Sequence, residues 1–179
     1  YHPLSERFGA LATAQLAYPF ATSLSDSIDW AALQAGINYT AGRFTLDVSG
    51  GTFIVNRRVT MISGTLIDGN GVVKLMDNCL PRLGQMVFCN TATGVHMFGI
   101  TLDENRENNI DHGTPDGSGN QPGNWQGTLL TVIDYAYVSD FSISGVTVRN
   151  SWGSGIWLTD CSDGDVEGNT ISDFRITGI

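Results

Sequence analysis

The sequence predicts an all-β fold, a single-stranded right-handed parallel β-helix with a short N-terminal helical cap. Three observations predict it. The chain of 179 residues holds 22 glycines and 15% charged residues, a composition of many short strands and tight turns. From Phe44 onward its apolar residues come in short runs broken by Gly, Asn, Asp and Ser. These runs recur at a fixed spacing of 23 residues, and a fixed period of about 20–50 residues marks a repeat architecture.

Two helices are predicted, both before the strands begin. Ser5 to Tyr18 (SERFGALATAQLAY) is dense in Ala and Leu, with Ser5 as N-cap and Pro19 as its stop. The second, SIDWAALQAGINY, starts at Asp26 or Ser27 and carries Ile28, Trp30, Leu33 and Ile37 at helical spacing. Gly42 is placed to end it. Residues 1–43 are read as a helical segment capping the solenoid, and 44–179 as its first turns. Solenoid ends expose strand edges and apolar side chains, and the second helix is suited to cover one.

The strand candidates are FTLDV, TFIV, VTMI, TLI, VVKLM, MVFC, VHMFGITL, LLTVI, FSISGVTV, GIWL and NTI. Ser139 to Ile156 and Ser162 to Ile179 align at an offset of 23, matching Gly145 with Gly168, Thr147 with Thr170 and Gly155 with Gly178. An earlier copy, Val95 to Leu102, aligns with Phe141 to Val148 at 46 residues. One period is therefore lengthened by an insert, which residues 106–127 fit because they lack apolar periodicity. Val59 to Leu66 is matched to Val95 to Leu102 at offset 36, with an excursion around Met76 to Gln85.

In a parallel coil each turn climbs about 4.8 Å, so every residue stacks on its copy. The inward ladders are then Met97/Ile143/Val166, Leu102/Val148/Ile171 and Val87/Ile133/Ile156/Ile179, with glycines at the bends. The regular leucines of a leucine-rich repeat are absent, and a propeller needs a period near 40 or more. The chain stops at Ile179 within a turn, so the expectation is an N-terminal piece of a longer coil with about five turns present.

Composition excludes several functions. Nine basic against 18 acidic residues give a net charge of −9, and Lys74 is the sole lysine. No basic stripe is available to neutralise phosphates, so nucleic acid is not an expected partner. No apolar run reaches the ~18 residues of a membrane helix, so no membrane insertion is expected. Cys79, Cys89 and Cys161 make an odd count; Cys79 and Cys89 could pair, but the simpler reading is three neutral thiols.

The run YPFATSLSDSIDWAALQAGIN (Tyr18 to Asn38), then GGTFIVN (Gly50 to Asn56) and the 23-residue turns, resembles the start of a pectate-lyase-like β-helix. More narrowly it resembles the N-terminal section of bacteriophage tailspikes and capsule depolymerases. The GITL, GVTV and GNTI turns carry the broader likeness alone. The resemblance implies a homotrimer on the virion, extracellular, that binds and cleaves a bacterial surface polysaccharide. The arginine-near-proline motif and calcium-site acids of pectate lyases are absent. Hydrolysis is therefore expected ahead of the alternatives, which are an extracellular polysaccharide lyase or epimerase and a non-catalytic adhesin or structural tail segment.

Hydrolysis of a glycosidic bond needs two carboxyls, about 5–5.5 Å apart for retention or ~6.5–9.5 Å for inversion. Acids stacked outward on neighbouring turns meet both spacings. Asp103 is expected to face outward in the column of Arg149, with Glu104 at the start of the insert and Asp134 in the column of Trp157. Asp103 with Glu104 or Asp134 is the catalytic candidate set; against it, Asp103 could simply pair with Arg149 on the next turn. Trp125 in the insert, outward Trp157 and Arg149 are the candidate sugar-binding residues; Trp157 could instead sit in a trimer interface. Trp152 is a weaker candidate, and Trp30 on the capping helix reads as core. Asp111-His112 and Asp116 to Asn120 lack the further acids of a calcium loop, and His2, His96 and His112 show no zinc spacing. No metal and no cofactor is expected, and no nucleophile elbow, P-loop or dinucleotide fingerprint is present.

Overall fold

A computed structural model describes residues 27–77, 85–109, 131–151 and 153–173. One helix, α1 (Ile28–Thr40), precedes twelve strands. In chain order these are β1 (Leu46–Asp47), β2 (Thr52–Val55), β3 (Val59–Met61), β4 (Leu66–Asp68), β5 (Val72–Leu75), β6 (Gln85–Phe98), β7 (Thr101–Asp103), β8 (Thr131–Ser144), β9 (Thr147–Arg149), β10 (Ser154–Thr159), β11 (Ser162–Glu167) and β12 (Thr170–Ile171). The predicted helix from Ser5 to Tyr18 lies outside the described residues.

All strand pairs are parallel. They form a seven-stranded sheet through β1, β4, β6, β8 and β10, with β3 and β11 at its flanks, and a five-stranded sheet ordered β12-β9-β7-β5-β2. β3 and β4 both pair with β6, while β10 and β11 both pair with β8. Each turn therefore supplies two strand segments to the larger sheet and one to the smaller. The two sheets do not join into a closed solenoid among the described residues. The break falls at the bend after Phe98 and after Ser144, where Gly99 and Gly145 take φ of +71° and +63°. A left-handed residue turns the chain out of the ladder at that point.

The 23-residue and 46-residue offsets are the observed register: Ile156 pairs with Ile133, Val166 with Ile143, and Met97 with Ile143. Each inward ladder extends upstream. Leu46, Ile67, Met97, Ile143 and Val166 make one column, and Phe53, Val73, Leu102, Val148 and Ile171 another. Val59, Val87, Ile133 and Ile156 make a third, whose predicted continuation at Ile179 lies outside the described residues. Val166, predicted to face inward, is exposed on β11; burying the rest of these columns removes large apolar area from water, and that area is what holds the turns together.

The upstream alignment at offset 36 is not the register. Val59 pairs with Val87, Leu66 with His96 and Val72 with Thr101, so this turn is 28 to 30 residues long. The likeness of VTMISGTL to VHMFGITL comes from shared apolar letters on two different strand segments of the turn.

The bends also stack. Thr91, Tyr137 and Asp160 hold positive φ in one column, and Gly94, Asp140 and Asp163 in a second. The corners were expected to belong to glycine; among the described residues glycine holds eight of the positive-φ positions, and Asp and Asn hold six of the eight others. Their short polar side chains tolerate the left-handed region better than other residues with a Cβ. Gly155, predicted at a bend, lies buried inside β10 instead.

α1 starts where the sequence places it. Ser27 is the N-cap and its hydroxyl accepts from the Trp30 amide at 3.0 Å. The helix covers the first strand edge with polar side chains rather than apolar ones alone. Gln34 donates to the Thr60 carbonyl and accepts from the Thr60 amide, both at 2.8 Å. Asp29 accepts from the Ile54 amide at 2.7 Å, and the Trp30 indole donates to the Arg58 carbonyl at 2.9 Å. Ser27 donates its hydroxyl proton to the Ile54 carbonyl. Edge groups that would otherwise template another strand are thus satisfied. Trp30 is buried, as its place among the helix's apolar residues predicts.

Candidate functional site

The outward face of the larger sheet carries a column formed by Thr60, Phe88, Asp134 and Trp157 on successive turns. Period-2 alternation sets it, because each member follows an inward Val or Ile of the third ladder. Trp157 is 40% exposed, and its indole nitrogen donates to the Thr159 hydroxyl at 2.9 Å. That bond fixes the ring, which leaves a pre-oriented apolar surface beside a carboxyl.

Asp134 is half-buried between the two aromatic rungs. Gln85 donates from Nε2 to Asp134 Oδ2 at 3.0 Å, and Arg58 donates from Nη1 to Gln85 Oε1 at 3.0 Å. The Arg58 guanidinium lies 4.2 Å from the centre of the Phe88 ring. Burial raises the Asp134 carboxyl above its ordinary range, against the lowering pull of the Gln85 hydrogen bond and the Arg58 charge. A carboxyl so placed holds its proton further toward neutral pH and can donate it.

Asp103 lies elsewhere. It ends β7 in the smaller sheet and is 4% exposed, not outward in solvent as expected. Oδ2 accepts from Arg149 Nε at 2.9 Å, and Oδ1 accepts from Asn150 Nδ2 at 3.0 Å and from the Asn105 amide at 2.8 Å. Stacking Asp103 directly on Arg149 draws the carboxylate into this pair, and the left-handed bend at Asn105 folds the chain over it. Glu104 is also buried, its amide donating to the Arg149 carbonyl at 3.2 Å. Asn105 Nδ2 donates to the Leu75 carbonyl at 2.9 Å and to Asp77 Oδ1 at 2.6 Å. This cluster ties three turns together through polar contacts.

The structure therefore brings Asp134 and Trp157 together, as their shared column predicts, and separates both from Asp103, Glu104 and Arg149. Trp125, Trp152 and Cys79 lie outside the described residues. Cys89 and Cys161 are free thiols, and burial pushes Cys89 up to about 11, so it is not a nucleophile at neutral pH. Among the described residues no three His, Cys, Asp or Glu side chains gather as a metal site. Sequence reasoning missed Phe88, Gln85 and Arg58. Phe88 was legible, since it stands 46 residues before Asp134 in the same register as Val87 and Ile133. Arg58 was not, because its turn has a different length.

No protein-family model matches the chain, and no curated protein does. Among solved structures the chain is similar to the tailspike of Pseudomonas phage phi297, at 16% identity and a TM-score of 0.38. That alignment covers 100% of this chain and 50% of the tailspike, so the chain spans half its length.

Proposed function

We propose that the chain is the N-terminal part of a phage tailspike that binds a bacterial surface polysaccharide, capsule or O-antigen, and depolymerises it by glycosidic hydrolysis. In this reading the two parallel sheets belong to a right-handed β-helix, residues 1–43 cap it, and the assembled protein is a homotrimer on the virion. The observation that carries the reading is the outward column in which Asp134 stands one rung from an exposed, hydrogen-bonded Trp157. Aromatic faces stack on the apolar CH faces of sugar rings, and a carboxyl with a raised proton affinity is the acid that a leaving glycosidic oxygen needs. Asp134 gives its proton to that oxygen as the C–O bond breaks. Water then adds at the anomeric carbon, losing a proton to a second carboxylate about 6.5–9.5 Å away.

The described rungs of this column hold a single carboxyl, which favours a second reading, a segment that binds polysaccharide without cleaving it. Reducing-end release and binding, measured together on bacterial surface polysaccharides, separate the two. Under the first reading, Trp157→Ala weakens binding at least tenfold, while Asp134→Asn keeps binding and loses release by about 100-fold, the usual worth of a general acid. Binding without release in the wild type supports the second. Binding unchanged by Trp157→Ala defeats both.

A further inference from the structure

We propose that Arg58 is a receptor for a sugar carboxylate, so that the polysaccharide bound on the Trp157 column carries an acidic residue such as a uronate. The inference deepens the polysaccharide reading and rests on it. Arg58 is half-buried, stacked on Phe88 and tethered to Gln85. The tether uses one of five N–H donors. Among the described residues no carboxylate lies within ion-pair distance of it. Gln85 bridges Arg58 to Asp134, so the two charged groups share an amide rather than a direct hydrogen bond.

A guanidinium stacked over an aromatic face leaves the N–H edge in its own plane open, where a carboxylate can be met by two parallel hydrogen bonds. Arg58 is therefore a cation whose side-chain freedom is already reduced and whose partner is not supplied by the described protein. Phe88 stands two strand spacings from Trp157, about 9.6 Å. A chain stacked on Trp157 thus reaches Arg58 within one or two sugar units. The protein as a whole, at a net charge of −9, repels polyanions, so a locally fixed cation is what an acidic glycan needs in order to dock.

The test screens the wild-type protein for binding on a panel of bacterial capsular polysaccharides with neutral and with uronate-bearing repeats. Each uronate-bearing member is also presented after carbodiimide and borohydride reduction of its carboxyls. The expected result is that uronate-bearing members bind and that carboxyl reduction weakens them about tenfold or more, the worth of a charge-assisted pair. Arg58→Gln then loses the same factor on the acidic glycan and nothing on the reduced one. Arg58→Lys, which keeps charge without the fork, falls between. Binding of neutral members, weakened by Trp157→Ala and untouched by Arg58→Gln, overturns the inference and leaves the polysaccharide reading standing. No binder anywhere on the panel overturns both.

Discussion

Asp134 is a carboxyl that folding makes harder to ionise. Burial raises it over the pull of Gln85 and Arg58, so the native state holds its proton more tightly than the unfolded chain, where a free Asp titrates near 3.9. The stability that this proton affinity contributes is full below the unfolded value and is lost as pH rises through the folded one. Replacing Asp134 by Asn keeps an acceptor for Gln85 and removes the charge. The variant's urea midpoint minus that of the wild type is expected to increase from pH 3.5 to pH 7. A difference flat across that range would show that burial does not govern the carboxyl. The activity loss predicted for the same variant is a separate readout, so a stabilised and inactive Asp134→Asn protein is the expected combination.

At the scale of the element, α1 works as an edge protector through chosen polar side chains. Its apolar residues were legible in the sequence, as was its cap at Ser27, because helical spacing and N-capping are local rules. Its edge contacts were not. Gln34 reads as an ordinary helix surface residue, and nothing local says that Thr60 will sit opposite it. Gln34→Leu leaves both Thr60 backbone groups unpaired, and a stability loss of about 1–3 kcal/mol is expected, since each stranded group costs on that order. Equilibrium urea unfolding measures it; an unchanged midpoint would mean that water replaces the amide without cost. The strands tell the same story of local and distant rules. Turns of 23 residues were read correctly because one bend repeats letter for letter, Gly145 with Gly168 and Thr147 with Thr170. The earlier turn was misread because insertions shifted its length, and a purely alphabetic match then chose the wrong strand segment. Asp103 was misplaced for a related reason: alternation places it outward, but the bend at Asn105 covers it, and bends through non-glycine residues leave little trace in composition.

For the whole molecule, charge decides how copies meet. β11 carries Asp163, Asp165 and Glu167 exposed beside Val166, in a chain whose net charge is −9. Like charges of this kind keep molecules apart in solution. Neutralising all three, as Asp163→Asn, Asp165→Asn and Glu167→Gln, is expected to raise the aggregation rate at pH 7 several-fold by light scattering while leaving circular dichroism unchanged. Acidifying the wild type through the carboxylate range should bring on the same association. If neither treatment changes the scattering, other features keep the molecules apart. The candidate site stands in an intermediate position: the Asp134 and Trp157 pair was legible from register, whereas the Arg58, Gln85 and Phe88 surround depends on a turn whose length sequence alone does not reveal.

The turns of this protein differ widely in length, yet the strands meet in one register. Thr101 pairs with Thr147 across 46 residues as cleanly as Thr147 pairs with Thr170 across 23. Lengthening a connection costs little, about 0.6 kcal/mol for each doubling of a flexible loop. The bends are consequently splice points at which foreign sequence can be grafted without disturbing the ladders on either side. A chain built this way can exchange its loops one at a time while the buried columns stay the same.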